Sequence, residues 1–162
     1  MIILLKRGLE FIMVDSKVDS LDNKIISILA KDARQSSNLI AKQLDVSAST
    51  IRRRIQNLID NKTIRIMGIA DPVKVGYPVT AYIAFNMAMD KVDAALKTLA
   101  GWPEIRTVST IAGRFDILAM ARFHSNDDLS DFLTRQLPKI KGLKDSETFI
   151  CLHMEKGLEK QD

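Results

Sequence analysis

The residues of this 162-residue chain that offer the clearest chemistry form one short cluster of hydrogen-bond donors. The cluster contains hydroxyl side chains, three consecutive arginines and one amide: Ser47, Ser49, Thr50, Arg52, Arg53, Arg54 and Gln56. Arginine can donate two hydrogen bonds to a guanine edge or bind a phosphate, and hydroxyls at a helix N-terminus can bind phosphate oxygens. The cluster predicts a nucleic-acid contact, although three adjacent arginines are also typical of a solvated helix face.

The positive charge of the chain is concentrated in its first half. The chain carries 24 Lys and Arg against 20 Asp and Glu, a formal net charge of +4. Residues 15–66 contain 10 basic and 6 acidic side chains, whereas residues 67–162 contain 12 and 13. This excess favours a polyanionic partner for the first half, with DNA as the leading candidate.

Few other residues could support metal or nucleophilic chemistry. The chain has one cysteine, Cys151, and two histidines, His124 and His153. A single cysteine excludes an internal disulfide framework and a multi-thiolate metal site. Three acids in the first turns of a predicted helix are better explained by the helix dipole: Asp127, Asp128 and Asp131. We therefore predict no metal site, no cofactor and no catalytic residue.

The sequence predicts neither a membrane span nor a secretory signal. Its longest apolar run is far shorter than the ~20 residues that span a bilayer. The apolar residues 1–5 precede Lys6 and Arg7, the reverse of the order in a secretory signal. We expect a cytoplasmic protein, with residues 1–17 as an N-terminal extension and Met13 as an alternative start.

Residues 18–63 show apolar side chains at helical spacing and predict three short helices. The first follows Ser20, a predicted N-cap, the second follows the polar break at 34–37, and the third follows Ser47. The third helix gathers its apolar side chains in one arc: Ala48, Ile51, Ile55, Leu58 and Ile59. Arg53 points away from that arc. A helix with such an outward face, preceded by a short turn and another helix, indicates a helix-turn-helix, and a plain three-helix bundle is the alternative.

Residues 64–70 are β-branched and partly alternating, which predicts a strand that acts as a wing or a link. Turn signals follow at Asp71-Pro72 and Gly76-Tyr77-Pro78. We therefore place an ordered hinge over residues 64–78, between a helix-turn-helix domain at 18–63 and a second domain at 79–156. Residues 157–162 remain as a tail.

The second domain alternates strands and helices in the order β-α-β-β-α-β. A turn is predicted at Gly113-Arg114-Phe115, and the last strand is predicted over Thr148–Met154. This order is typical of a ferredoxin-like antiparallel sheet with both helices on one face. The fold class is therefore α+β: an N-terminal three-helix (winged) helix-turn-helix followed by a ferredoxin-like domain.

The last predicted strand is apolar on both sides, whereas the helices can cover only one face of the sheet. Ile150, Leu152 and Met154 alternate with Phe149 and Cys151. An uncovered apolar face would be large for a monomer. We expect a symmetric homodimer through the open sheet faces.

The combination of these two domains resembles the leucine-responsive regulatory protein/AsnC family, the feast/famine regulators. The resemblance covers residues 18–156, and it rests on four segments in their order and spacing: Leu21-Asp22-Asn23-Lys24-Ile25-Ile26, Leu44-Asp45-Val46-Ser47-Ala48-Ser49-Thr50-Ile51, Ile64-Arg65-Ile66-Met67-Gly68 with Gly76 downstream, and Ala112-Gly113-Arg114-Phe115-Asp116. It implies a DNA-binding transcriptional regulator whose second domain dimerises and binds a small effector, commonly an amino acid, in clefts between dimers. Tetramers and octamers are further assemblies that it implies.

The resemblance also assigns residues to these roles. The recognition helix would contact DNA through the hydrogen-bond donors named above, with Arg53 reading bases and Arg52 and Arg54 binding phosphates. The effector cleft would use Thr110, Gly113, Arg114, Asp116 and Pro138. Two residues depart from the family pattern: Asp45 stands where Gly is frequent in the turn, and Arg114 stands where acidic or aromatic residues are more frequent.

Several alternatives remain open at this level. Asp116 could pair with a local arginine or bind an effector ammonium, and Arg114 could bind a carboxylate or form a surface salt bridge. Sirohaem decarboxylases share the two-domain architecture, so an enzyme on this scaffold is the alternative function; the hairpin turn, however, has no histidine. An architectural DNA-binding protein without an effector is a third reading.

Overall fold

The computed structural model describes residues 18–155 and 157. These residues form two compact units that divide between Met67 and Gly68, within the segment predicted to be a hinge. The predicted N-terminal extension with Met13 and, apart from Gly157, the predicted tail lie outside the described residues. None of the described helices has the length and apolar character that crossing a membrane requires.

The described part of the first unit, from residue 18 onward, contains three helices, α1 (Ser20–Lys31), α2 (Ser37–Leu44) and α3 (Ala48–Asp60). Their apolar stripes meet in one core, whose buried members are Ile25, Leu29, Ile40, Ala41, Ile51 and Leu58. Helices of this length are marginal alone in water, so tertiary packing of these stripes stabilises them. The three predicted helices are therefore confirmed, and their packing leaves the polar side of α3 outside.

The start of α1 differs from the prediction by one residue. Its N-cap is Asp19, not Ser20, because Asp19 accepts a 2.9 Å hydrogen bond from the backbone N–H of Asp22. The carboxylate of Asp22 accepts in return from the backbone N–H of Asp19 at 3.3 Å. This reciprocal capping box satisfies two amides that the first turn leaves free. The predicted cap of α3 by Ser47 is correct.

Among the described residues, two that are not glycine have a positive φ, and each follows a helix. Asp45 ends α2 with φ 53° and ψ 49°, and Lys62 follows α3 with φ 56°. Asp45 lies in the turn between α2 and α3. This is the position at which the sequence departs from the family pattern, in which glycine is frequent. Aspartate tolerates this conformation better than most side chains, so the turn forms without glycine.

Residues 64–70 do not form a strand among the described residues, and the prediction of a strand there, and of a wing, is wrong. Ile66, Met67 and Ile69 have exposed side chains, at 49%, 64% and 47%. A strand needs a neighbour to accept and donate its backbone hydrogen bonds. The β-branched side chains of residues 64–70 favour an extended conformation, but no described strand pairs with this segment.

Within its described residues, the second unit contains four strands and two main helical segments. The strands are β1 (Val79–Met87), β2 (Ile105–Thr110), β3 (Ile117–Phe123) and β4 (Leu143–Ile150). They form one antiparallel sheet in the order β2-β3-β1-β4. Helix α4 (Val92–Ala100) connects β1 to β2, and α5 (Asn126–Asp131) follows β3. The ferredoxin-like order is thus confirmed.

Alternation along the strands separates a packed face from an open face. Ala81, Ile83, Phe85 and Met87 of β1 join a core with α4, α5 and the matching residues of β3. Successive side chains of a strand point to opposite faces, so Tyr82 and the side chains that flank it in register lie on the other face: Met120 and Phe149. Phe149 is 48% exposed.

The last strand lies earlier than predicted. It spans Leu143–Ile150 instead of Thr148–Met154, because β1 pairs with it from Met87↔Leu143 to Ala81↔Ile150. Its first half is polar, and since β4 is an edge strand, polar side chains there are tolerated and protective. Leu152 and Met154 follow the end of the strand.

The helical segment after β3 is also less regular than the single helix predicted. After α5 the backbone widens into a π-helical turn at Phe132–Gln136 and then narrows to a 3₁₀ turn at Leu137–Lys139. The N–H of Leu137 donates to the carbonyl of Phe132, five residues back. Such wide turns place an extra residue on one side of a helix and occur often at functional sites.

Candidate nucleic-acid interface and effector hairpin

The N-terminus of α3 carries a connected group of hydroxyls. The Oγ of Ser47 accepts from the backbone N–H of Thr50 at 3.1 Å. It also lies 2.9 Å from Oγ of Ser49 and 2.8 Å from Oγ1 of Thr50. These hydroxyls lie beside the positive end of the helix dipole, where phosphate oxygens bind well. The structure thus brings together the three hydroxyl residues that the sequence predicted.

The three arginines of α3 have different environments. Arg52 and Arg53 are exposed, and no ion pair joins either of them to another described residue. Gln56 is exposed too, and its Nε2 donates to Oδ1 of Asp60 at 2.8 Å. The exposed side of α3 therefore presents two free guanidinium groups beside the hydroxyls at its N-terminus.

Arg54 points back toward α1. Its Nη1 lies 2.7 Å from Oδ2 of Asp19 and 3.2 Å from Oδ2 of Asp22. Asp22 is buried, with only 4% of its surface exposed. The pKa of Asp19 lies below its usual value because its carboxylate accepts the backbone N–H of Asp22 and, as a smaller cause, because Arg54 stands beside it. The structure therefore engages Arg54 within the protein.

Sequence reasoning missed this ion pair because its partners lie 32 residues apart in the chain. A signal was nevertheless present: two acids spaced as Asp19 and Asp22 are, at the start of a helix, form a capping box. Two carboxylates that close together favour a nearby cation. Only the packing of α1 against α3 shows which arginine supplies it.

The predicted effector residues lie at one end of the sheet. Gly113 has φ +147° in the turn between β2 and β3, and a Cβ built there would meet nothing within 4 Å. Thr110 ends β2 and is exposed. Pro138 lies in the 3₁₀ turn that leads toward the start of β4, which pairs with the same end of β1. Strand pairing therefore brings the ends of these segments to the same end of the sheet.

Asp116 fastens the hairpin to β1. Its Oδ2 accepts the backbone N–H of Met87 at 2.7 Å, and its own N–H donates to the carbonyl of Phe85 at 2.9 Å. Arg114 instead approaches Oε2 of Glu147 at 3.9 Å and lies 5.0 Å from the ring centroid of Phe115. Arg114 thus forms a long surface ion pair, while Asp116 pairs with a backbone amide and not with an arginine.

His124 lies at the opposite end of β3 from the hairpin. Its Nδ1 is 2.6 Å from the carbonyl oxygen of Gly76, and its ring stacks on Tyr77 with centroids 4.1 Å apart. Arg106 lies over the same tyrosine ring, 5.2 Å from its centroid. The histidine therefore belongs to a stack that holds the start of the second unit.

The fold and these surfaces define a DNA-binding protein with a helix-turn-helix unit and a separate ligand-binding unit. Residues 18–59 match the AsnC-type helix-turn-helix domain, and residues 80–158 match the Lrp/AsnC ligand binding domain. The chain belongs to the Lrp/AsnC family of transcriptional regulators. It is therefore a DNA-binding transcriptional regulator of the AsnC type.

Similar proteins agree with this assignment. An uncharacterized HTH-type transcriptional regulator of Pyrococcus furiosus is 34% identical, with 86% of this chain and 95% of the relative covered. Another, from Pyrococcus horikoshii, is 30% identical over 86% of this chain and 89% of the relative.

Solved structures show the same architecture. AsnC of E. coli is 26% identical with a TM-score of 0.79, covering 86% of this chain and 95% of that one. A transcriptional regulator from Neisseria meningitidis, solved as a complex with L-Met, has a TM-score of 0.78 at 23% identity, covering 86% of this chain and 92% of that one. At this identity, the similarity to the Neisseria meningitidis regulator shows a shared fold and nothing more.

Proposed function

We propose that this regulator binds specific duplex sites as a homodimer and that a small effector, an amino acid, modulates its binding. The observation that carries the DNA interface is the exposure of Arg52 and Arg53, free of ion pairs among the described residues, beside the hydroxyls at the N-terminus of α3. Such a face offers both base-reading donors and phosphate ligands. The DNA-binding role also favours a cytoplasmic location.

The DNA-contacting set that we propose follows the sequence prediction with one change of role. Arg53 reads a base edge, while Arg52, Gln56 and the hydroxyls at the N-terminus of α3 contact phosphates and sugars. Arg54, predicted to bind a phosphate, instead positions α3 against α1 through its carboxylate partners. A guanidinium already neutralised by two carboxylates gains little from a phosphate.

A second copy of the chain is the proposed occupant of the open sheet face. Tyr82, Met120 and Phe149 lie side by side there in register, and Phe149 is half exposed. A symmetric dimer buries this patch on both copies at once. It also provides two recognition helices, which suits a nearly palindromic site with half-sites about one helical turn apart or a multiple of that.

The proposed effector contacts are those predicted at the hairpin end: Thr110, Gly113, Arg114, Asp116 and Pro138. The long 3.9 Å approach between Arg114 and Glu147 leaves the arginine available for an effector carboxylate. Asp116 keeps a second carboxylate oxygen for an ammonium while it accepts the amide of Met87. Amino-acid binding at this end is supported by that pairing of opposite charges.

Selection of bound duplexes from a random pool, repeated with and without each of the twenty amino acids, tests this function. We expect one enriched, nearly palindromic sequence and an affinity that falls steeply with salt, because phosphate contacts release counterions. Enrichment of no sequence would contradict specific binding. An unchanged affinity and sedimentation coefficient with every amino acid would leave an architectural DNA-binding protein instead.

A further inference from the structure

The second unit carries a local concentration of positive charge just before and at the start of β4. Residues 132–144 contain four basic side chains and no acidic one, whereas residues 125–131 contain three acidic side chains and no basic one. Three of the four basic residues are lysines, and all three are exposed: Lys139, Lys141 and Lys144. We call these three residues the lysine patch. Because residues 67–162 as a whole carry 12 basic and 13 acidic side chains, the patch is not a consequence of a basic unit.

A turn at residues 140–143 gathers the lysine patch on a fixed piece of backbone. The N–H of Leu143 donates to the carbonyl oxygen of Ile140 at 3.3 Å, and Gly142, with φ +84°, occupies the third position of the turn. The ends of such a turn lie within about 7 Å of each other. Ile140 is buried, with 5% of its surface exposed. The lysines that flank Ile140 and the lysine that follows Leu143 therefore start from neighbouring backbone positions.

Lys144 owes its position to a β-bulge. The pairs Met87↔Leu143 and Asn86↔Asp145 are consecutive along β1 but skip one residue of β4, so Lys144 is the extra residue. Bulges at sheet edges re-aim a side chain. Lysine also protects an edge strand from pairing with another chain, which would account for Lys144 alone. The other two lysines precede the strand, so edge protection does not explain the patch.

The lysine patch lacks acidic partners within the described part of the chain. Its lysines occur in none of the ion pairs between described residues, and the nearby acidic groups have other partners. Asp90 pairs with Lys91 at 2.8 Å, and Oδ1 of Asp145 accepts the N–H of the next residue at 2.8 Å. A Cβ on Gly142 would lie 2.6 Å from Cγ of Lys91, so a fourth basic side chain crosses the same turn. Like charges gathered in this way favour an anionic partner.

The chemistry of lysine favours the backbone of a nucleic acid over base edges or a single carboxylate. A lysine head is a point charge on a flexible stem, without the planar fork that reads a base or grips a carboxylate. A duplex presents one phosphate charge per about 1.7 Å of its axis, so a duplex beside the patch offers several phosphates at once. The chain binds DNA through its first unit. A duplex held there is present at a high effective concentration for the second unit, because one chain links the two.

We propose that the lysine patch binds the phosphate backbone of DNA that lies outside the sequence recognised by α3. The second unit then adds a sequence-independent DNA contact to its ligand-binding role. This inference rests on the proposed binding of duplex sites through α3. It predicts that a recognised site with flanking DNA binds more tightly than the same site alone, and that this gain falls with salt because phosphate contacts release counterions.

The experiment measures binding of the full chain by fluorescence anisotropy at KCl concentrations from about 50 to 300 mM. Three duplexes are compared: the selected site alone, the site extended on both sides by about 30 base pairs of unrelated sequence, and an unrelated duplex of the extended length. In Lys141→Gln/Lys144→Gln we expect the slope of log affinity against log salt to become shallower by about 2 on both long duplexes, since each phosphate contact contributes about 0.9. Addition of Lys139→Gln should remove about one further unit of slope. Binding to the site alone should not change.

A matched double variant controls for the change in net charge. Lys74→Gln/Lys97→Gln removes two exposed lysines of the second unit that lie outside the patch, and it should keep the parent slope on all three duplexes. Every replaced lysine is exposed, so the variants should retain the parent melting temperature. Equal slopes for the patch and control variants on the long duplexes would overturn the proposal. An equal loss of affinity on the site alone would overturn it too, because the patch would then not act on flanking DNA.

The same titrations separate this failure from failure of the proposed function. If the parent prefers the selected site but the patch variants keep its slope on the long duplexes, the regulator function stands and the flanking contact is excluded. If the parent binds the site and the unrelated duplex equally, specific recognition through α3 fails. The slope on the unrelated duplex then still decides whether the lysine patch binds DNA.

Discussion

Nη1 of Arg54 lies 2.7 Å from Oδ2 of Asp19, and this contact joins α3 to the first turn of α1. The same guanidinium lies 3.2 Å from the buried Asp22. Asp19 and Asp22 also cap α1 reciprocally. One arginine thus pairs with both carboxylates of a capping box and sets the position of the helix that presents Arg53 outward.

Replacing Arg54 by methionine should therefore lower stability more than it changes base preference. Methionine keeps the aliphatic packing of the arginine side chain but leaves the buried Asp22 without its cation. The free energy of unfolding should therefore fall by about 1–2 kcal/mol. Denaturant unfolding followed by far-UV circular dichroism measures the loss. Arg52→Met, at an exposed and unpaired position of the same helix, is the matched control. Equal stability of the two variants would contradict the positioning role of Arg54.

Arg53→Ala should change DNA binding and leave stability unaffected, the reverse of the effect expected for Arg54→Met. We expect it to weaken binding to the selected site by about 1–3 kcal/mol and to relax preference at one base pair, with no loss of stability. Fluorescence anisotropy with the selected duplex and with single-base variants measures both effects. Lys97→Ala removes an exposed charge from α4 and should leave binding unchanged. A uniform weakening on all sequences would assign Arg53 to a phosphate.

The capping box should make the free energy of unfolding depend on pH in the acidic range. The pKa of Asp19 in the folded protein lies below its ordinary 3.8, chiefly because it accepts the N–H of Asp22. The Asp19 carboxylate therefore stabilises the folded state at every pH above its ordinary pKa. This stabilisation is lost as the pH falls through the lower pKa of the folded state. Unfolding free energies of the parent and Asp19→Asn should converge in acid and diverge toward neutrality. Ser20→Ala, which removes no titrating group, should shift stability equally at every pH.

Lys62→Gly should stabilise the first unit. Lys62 has φ 56° directly after the end of α3, a conformation that costs a side chain more than it costs glycine. Relief of that strain, less the greater entropy of glycine in the unfolded chain, should give about 0.5–1 kcal/mol. Thermal unfolding of this variant is compared with Lys42→Gly within α2, which should be destabilised by about 1 kcal/mol. A lower melting temperature for Lys62→Gly would show that the side chain makes a compensating contact.

Phe149→Asp should dissociate the proposed dimer. The aspartate would place a charge on β4, at the edge of a patch whose other members are Tyr82 and Met120, and burying an unpaired charge is costly. Sedimentation velocity should then give a monomer, and affinity for the palindromic site should fall. Lys97→Asp on the outer side of α4 is the control. A variant that sediments like the parent would place the dimer interface elsewhere.

The sequence by itself determined the elements whose cause is local. The apolar arc of α3, the hydroxyl cap at Ser47 and the alternation along β1 follow from side-chain spacing and short-range hydrogen bonds. The exposure of Arg53 follows from the same spacing, since it lies opposite Ile51 and Leu58 on the helix. These features needed no knowledge of neighbours distant in the chain.

Tertiary structure decided what depends on neighbours far away in the chain. Arg54 is engaged in ion pairs because α1 brings Asp19 and Asp22 to the side of α3 on which it lies. The strand propensity of residues 64–70 produced no strand because no ladder partner exists among the described residues, whereas the polar segment at 143–147 became a strand because β1 pairs with it. Side-chain type sets which contacts are possible, and packing selects among them.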